Sequence, residues 1–521
     1  MKNNQKAAKT VFIMVIAMIL SKALGLVRSM LMASHYGVGI ASDAFSAASK
    51  IPLVFFDLLF GASILGCFIP IYNEFDRRNG DREADDFACL FLNFIFLLTS
   101  LLSVFGILFA PWIIQCVAPD LDPQSYTLAV RLLRIMFPMI IFTGSAYTLV
   151  GVMQSKNRFI LPSLISSISN FGVILYFLFL DKQLGSYGLY GLAIAYLVSW
   201  ALQFLTLCIP LVHSGFRLRP MIHFFQNPAL LRALKMTPQV IIGSWLAPVG
   251  MLIGTRFASK LSSVGAVTIF DYTNNTYTII VGILTYGICN FVFPKFARLS
   301  ASAETEKFSK EVQRGITSLF YIVIPIMFAA FILSGEGISI LYQRGKFNAA
   351  DAAQTAKSLQ YMLFGMPAFC LIELLSRVMY AKKKAYASMC AAIVGILCNL
   401  LSTFLLTLNS SSGIEVIALG NAIGQIAAAG CLILFTLITS EKLPSRAFIV
   451  SCLKIFFCAL VSYGAMKIVF LFVGGNAYEV SLFRNIVTIL CVFSAGAVVY
   501  LLLTSLFHIK FELQGDEKEI E

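Results

Sequence analysis

Ionisable side chains stand inside the first two long apolar runs of this chain: Lys22 and Arg28 in the first, Asp43, Lys50 and Asp57 in the second. Each costs about 2.5–3.5 kcal/mol to place at the centre of a lipid-embedded helix, so such residues normally face a partner or a water-filled cavity. Lys22 and Arg28 are six residues apart on one helix, and with Ser21 and Gly25 they form a small, polar, cationic strip. Gly25 would let another backbone or a ligand come close. A cationic strip inside apolar surroundings suits an anionic ligand such as a diphosphate, to which arginine offers a two-pronged fork and lysine a point charge. A second account stays open, in which Lys22 and Arg28 neutralise Asp43 and Asp57 across helices. Farther along, Arg256, Asp271, Asn274 and Asn275 repeat the pattern. Arg256 has the alternative of reaching the outer interface with Lys260, and the asparagines that of interhelical hydrogen bonding.

Other clusters point to structure. Arg131, Arg134 and Lys357 lie at helix starts near an interface, and Glu373 and Arg377 are spaced for a mutual salt bridge. Lys382–Lys384 is a topology signal that could also touch anionic head groups. The acidic loop Asp81-Arg-Glu-Ala-Asp-Asp86 lacks a metal-binding pattern, a phosphate loop or a base, and reads as a solvated loop. The four histidines are dispersed, and the twelve cysteines fall in apolar runs without a CxxC pair. The sequence therefore predicts no enzyme, no metal site, no disulfide framework and no cofactor.

These residues must be positioned by membrane helices. The 521 residues are 59% hydrophobic and 12% charged, with a mean hydropathy of +0.84. Soluble domains carry about a quarter charged residues. The net charge of +13 does not indicate nucleic acid, because the basic residues are scattered through short loops between apolar runs. A span needs about 20 residues. That length predicts an all-α polytopic membrane protein with about fourteen transmembrane helices, near 9–35, 41–71, 87–117, 125–153, 160–180, 186–212, 231–257, 265–294, 313–335, 353–380, 386–408, 414–439, 447–473 and 483–507. Lys2, Lys6 and Lys9 precede the first run, which continues past Arg28 without a cleavage site, so it is read as an uncleaved first span. Alternate connections are rich in Lys and Arg: 77–82, 156–158, 217–219, 295–310, 382–384 and 442–446. The positive-inside rule makes that set cytoplasmic, and an even span count puts both termini there as well.

The chain also repeats weakly. Pro70 and Pro294 close the second and eighth spans, Val152-Met153 and Val378-Met379 precede the basic ends of the fourth and tenth, and Pro138 and Pro367 interrupt those same two spans. Asp43 and Asp271 start the second and eighth. These pairs share nearly one offset, which predicts two six-helix lobes related by an axis along the membrane normal, residues 1–220 and 221–440, with two further helices and a short tail in 441–521. In such transporters the site lies between repeats. A monomer suffices for that arrangement.

Four motifs then carry a resemblance: Ser21-Lys-Ala-Leu-Gly-Leu-Val-Arg28; Ser42-Asp-Ala-Phe45 with Lys50-Ile-Pro52; Asn157-Arg-Phe159 with Pro162; and Leu341-Tyr-Gln-Arg-Gly-Lys-Phe347. In this order and spacing the chain resembles the MurJ (MviN) family of lipid II flippases, within the multidrug/oligosaccharidyl-lipid/polysaccharide exporter superfamily. The resemblance implies fourteen helices around a cationic cavity, with the last two adding a groove for a lipid tail. It implies outward movement of undecaprenyl-diphosphate-linked muropeptide across a cell inner membrane, driven by membrane potential, Na+ or H+, with cell-wall synthesis machinery as a candidate partner. Lys22, Arg28 and Asp43 would be cavity residues. The chain departs from the family pattern at Phe56-Asp57, where twin arginines are common, at Phe270-Asp271-Tyr272, and at Ser29. Lys50 and Arg256 are the candidate replacements for the missing cations. Alternatives in transport are an exporter of another undecaprenyl-linked oligosaccharide and a cation-coupled drug antiporter. A membrane-embedded transferase would need a metal-binding acidic pair, and a scaffold has no use for costly buried charge.

Overall fold

The computed structural model describes the chain except residues 1, 62–66, 222, 225–226, 228–229, 236–241, 243, 262–263, 302–304, 409–412, 440–444, 476, 480 and 510–521; for 2–12, 15, 60–61, 79, 286–288, 290–295, 297–298, 300–301 and 305 it gives backbone alone. By packing, the chain divides into two units, Met1–Thr268 and Ile269–Glu521. Among the described residues all regular structure is helical.

The first unit contains α1 (Lys2–Tyr36), α2 (Ile40–Ser49), α3 (Ile51–Phe56), α4 (Ile69–Asn79), α5 (Asp81–Leu108), α6 (Ala110–Val117), α7 (Pro123–Met136), α8 (Met139–Ser155), α9 (Ile160–Phe179), α10 (Asp181–Leu184), α11 (Gly188–His213) and α12 (Leu246–Ser259). Proline sets many of these boundaries. Pro52, Pro111 and Pro123 each lie in the first turn of a helix, where the missing N–H is not needed. The core runs from Phe45 and Phe56 through Phe68, Phe87, Phe137 and Met139 to Trp200. α1 packs on α9, α9 on α11, and α5 and α11 on α8.

A long helix, α13 (Ala266–Ala301), begins at the end of the first unit and continues in the second. There follow α14 (Thr305–Ile332), α15 (Ser334–Tyr342), α16 (Ala349–Leu363), α17 (Met366–Ala381), α18 (Ala385–Thr407), α19 (Glu415–Thr439), α20 (Arg446–Val473) and α21 (Leu482–Leu506). α18 and α19 pack at close range because Gly420 and Gly424 present no side chain to Thr403 and Asn399. α20 packs on α21 and on α14.

Nine helices are long and apolar enough to cross a membrane among the described residues, and eleven spans result if each of two bent pairs counts as one. The remaining expected spans, the second, seventh and eighth, all include residues or side chains outside the description, as do Lys442 and the side chains of Lys295 and Arg298. The bent pairs are α7–α8, with a break of 42°, and α16–α17, with 48°. They are the spans interrupted by Pro138 and Pro367. Of the nine long helices α21 has the smallest share of its apolar window buried, 22%, followed by α1, α18 and α20 with 28% each, against 50% for α5.

Candidate functional site

The cationic strip lies on α1, whose uninterrupted course to Tyr36 fixes the angular positions of Lys22 and Arg28. Both are partly buried. Neither forms an ion pair among the described residues. Arg28 rests on aromatic rings instead. Its guanidinium carbon is 5.4 Å from the centre of the Tyr196 ring. Tyr196 is stacked on Trp200 at 5.3 Å and 12°, and meets Phe45 edge-on at 5.1 Å. The face of the Tyr196 ring attracts the cation.

Lys50 comes from another element. It is the residue at the α2–α3 break, which Pro52 imposes by removing a backbone donor. The structure brings Lys50 close enough to Arg28 for the two charges to act on each other. Like charges brought together out of bulk water repel, so an anion placed between them gains from both.

Ser21, Gly25, Asp43 and Arg256 are engaged with other parts of the first unit. The Ser21 carbonyl accepts a hydrogen bond from Asn170 Nδ2 at 3.2 Å, and a methyl group on Gly25 would meet that same nitrogen at 3.2 Å. Thus α9 occupies this part of α1, and Gly25 serves close helix packing. Asp43 is 4% exposed. Its carboxylate accepts from Gly265 N at 2.6 Å, Thr268 N at 2.8 Å and Thr268 Oγ at 2.6 Å. The first N–H groups of α13 have no partner within their own helix, and Gly265 before it has no side chain to cap them. Asp43 supplies that cap from α2, and its negative charge suits a helix N-terminus. Gly265 has φ +99, and an added Cβ would lie 2.1 Å from Val38; only glycine fits. Arg256 is exposed and its guanidinium donates to the Cys116 carbonyl, tying α12 to α6. Asp271 is partly buried on α13, within the second unit.

The structural pairings expected from spacing are present. Arg377 donates to Glu373 at 3.1 Å. Lys357 meets Glu415 at 2.6 Å, a partner distant in sequence. Arg134 donates to the Ile107 carbonyl, and Arg131 lies 3.4 Å from the Tyr190 hydroxyl. The acidic stretch Asp81–Asp86 is not a loop but the first turns of α5, where negative charge suits a helix N-terminus; Asp85 accepts from Lys156 at 2.8 Å and from Tyr72 at 2.7 Å, linking α4, α5 and the end of α8. Asn399 and Ser402 bond within α18 and to the Gly420 carbonyl of α19. The sequence did not reveal Tyr196, Trp200 or Asn170 as partners. The one available signal was the four-residue spacing of Tyr196 and Trp200, which places both rings on one helix face.

The chain matches the family model "Lipid II flippase MurJ" over residues 32–488. It is 28% identical over 397 residues to the lipid II flippase MurJ of Burkholderia cenocepacia, covering 74% of this chain and 75% of that one. It is 27% identical over 399 residues to the probable lipid II flippase MurJ of Buchnera aphidicola subsp. Acyrthosiphon pisum, covering 76% and 78%. Among solved structures it resembles a lipid II flippase MurJ in an inward closed conformation, with a TM-score of 0.79, 22% identity and coverage of 95% and 99%.

Proposed function

Because the chain belongs to the lipid II flippase MurJ family, we propose that it carries lipid II from the inner to the outer leaflet of a cell inner membrane by alternating access. The diphosphate is the part of that substrate a membrane helix can hold by charge. Lys22, Arg28 and Lys50 are the residues that hold it, with Arg28 gripping and the two lysines adding charge. The observation that carries this reading is that two partly buried cations of α1 have no carboxylate partner among the described residues, while Asp43, the nearest carboxylate in sequence, is committed to capping α13. A purely structural role for Lys22 and Arg28 would leave that cost without a return.

The rest of the proposal follows the loop charges and the repeats. Both termini lie on the cytoplasmic side, residues 1–220 and 221–440 form two lobes, and 441–521 adds two helices. A monomer performs the cycle without a cofactor, and membrane potential, Na+ or H+ supplies the drive. Asp271 and Arg256 contribute to substrate passage in other states of the cycle.

The test is replacement. The resident lipid II flippase of a bacterial host is depleted, this chain is expressed, and lipid II on the outer leaflet is assayed. Restored growth and externalisation, lost in Arg28→Ala with normal membrane levels, is the expected result. Failure with folded protein present would redirect the reading to another undecaprenyl-linked sugar.

A further inference from the structure

The chain ties down α1 on either side of Arg28. About two turns before it, the Ser21 carbonyl accepts from Asn170 Nδ2 of α9 at 3.2 Å. About two turns after it, His35 Nδ1 lies 2.7 Å from the Asp181 carboxylate, and the Tyr36 hydroxyl donates to the same group at 2.6 Å. Asp181 opens α10, which follows α9 almost at once. Both ties therefore lead to the same neighbour, and Arg28 sits between them.

That neighbour also places the ring. α9 packs on α11 as well as on α1. The approach to α11 is close, because a Cβ on Gly172 would collide with Ser199 Oγ. Ser199 lies beside Tyr196 on α11. Tyr196 and Trp200 are both buried. With Trp200 stacked on it and Phe45 of α2 meeting it edge-on, the Tyr196 ring is held by packing on more than one side.

A carboxylate and an aromatic face stabilise a buried arginine differently. A carboxylate accepts the N–H groups and cancels the charge. A ring face attracts the charge and accepts none of the in-plane donors. A carboxylate on Arg28 would thus compete with an arriving diphosphate, and a ring does not. Among the described residues Arg28 has the ring and no hydrogen-bond acceptor. We propose that Tyr196 is a positioning residue for substrate binding: its ring, backed by Trp200, holds the Arg28 charge in place and leaves the guanidinium donors to the diphosphate oxygens. The proposal rests on the reading of Lys22, Arg28 and Lys50 as the diphosphate site, and gives Tyr196 an effect on substrate that runs only through Arg28.

The test puts phenylalanine and its mono-, di- and trifluoro analogues at position 196 of the full chain in nanodiscs and measures equilibrium binding of radiolabelled lipid II. Tyr196→Phe is the reference, so the hydroxyl plays no part in the comparison. Fluorine draws electron density from the ring face with little change of shape, which weakens the pull on a cation and spares the packing. Affinity should fall with each fluorine, by about fivefold across the series, at unchanged melting temperature. An affinity independent of fluorine number overturns the proposal. So does a fall in affinity that tracks a fall in melting temperature, because the ring would then act by packing alone. Wild-type binding is measured first: its absence overturns the transport reading and this proposal with it, whereas a flat series in a chain that binds lipid II overturns this proposal alone.

Discussion

Arg28 and Asp43 began as members of one charged set and have different jobs. Arg28 lies over the Tyr196 ring, its guanidinium carbon 5.4 Å from the ring centre, with no carboxylate partner among the described residues. The charge matters for an anion, and the plane matters for the ring. Arg28→Lys should therefore retain a minor fraction of transport where Arg28→Ala retains none, both with unchanged thermal stability. Equal activity of Arg28→Lys and wild type would remove the planar group from the argument. Asp43 makes the opposite prediction. Asp43→Ala leaves two backbone N–H groups and a hydroxyl buried without their acceptor, at a cost on the order of 3 kcal/mol. The variant should show a markedly lower melting temperature in detergent. An Asp43→Ala protein as stable as wild type but inactive would return Asp43 to the substrate path. Residue types were enough to single out Lys22, Arg28, Lys50 and Asp43 in the sequence. Their partners were not legible, because Thr268 and Tyr196 reach them through packing between segments more than a hundred residues apart.

The elements show how faint sequence repetition becomes shared geometry. α8 ends after Val152-Met153 with Asn157 at φ 57, closed by Lys156 N on Val152 O and Arg158 N on Met153 O. α17 ends after Val378-Met379 with Lys383 at φ 57, closed by Lys382 N on Val378 O and Lys384 N on Met379 O. One left-handed turn thus terminates both of the Pro-bent spans, after the same dipeptide. The sequence displayed the dipeptide and the prolines, and it could not display the turn, since neither Asn157 nor Lys383 is the glycine that usually marks one. A β-branched residue is poorly tolerated at positive φ. Lys383→Val should lower stability by about 1–2 kcal/mol, whereas Lys383→Gly should match wild type. Thermal unfolding of the purified variants compares them. Equal stability of the valine and glycine variants would show that the turn is not required at this end of α17.

At the scale of the whole molecule, the proposed orientation rests on loop charge and span parity, two readings that need not agree. The second unit adds an independent geometrical point. The starts of α14 and α20 and the end of α21 surround one cavity, so these three chain ends belong to one side of whatever membrane the unit crosses. An even number of spans must separate the start of α14 from that of α20, and the intervening bent pair α16–α17, α18, α19 and α14 itself supply it. This count holds only if α16 and α17 together make one crossing, despite their 48° break. Reading them as two spans would invert every later loop. The argument is tested with reporter fusions to an enzyme active only outside the cytoplasm, placed after Lys182, after Arg344, after Arg158 and after Lys384. Activity is expected at Lys182 and Arg344, and none at Arg158 and Lys384, where the basic residues favour the cytoplasm by repelling translocation. Activity at Lys384 together with Arg344 would mean that the bent pair enters and leaves on the same side, and the parity that places both termini in the cytoplasm would fail with it.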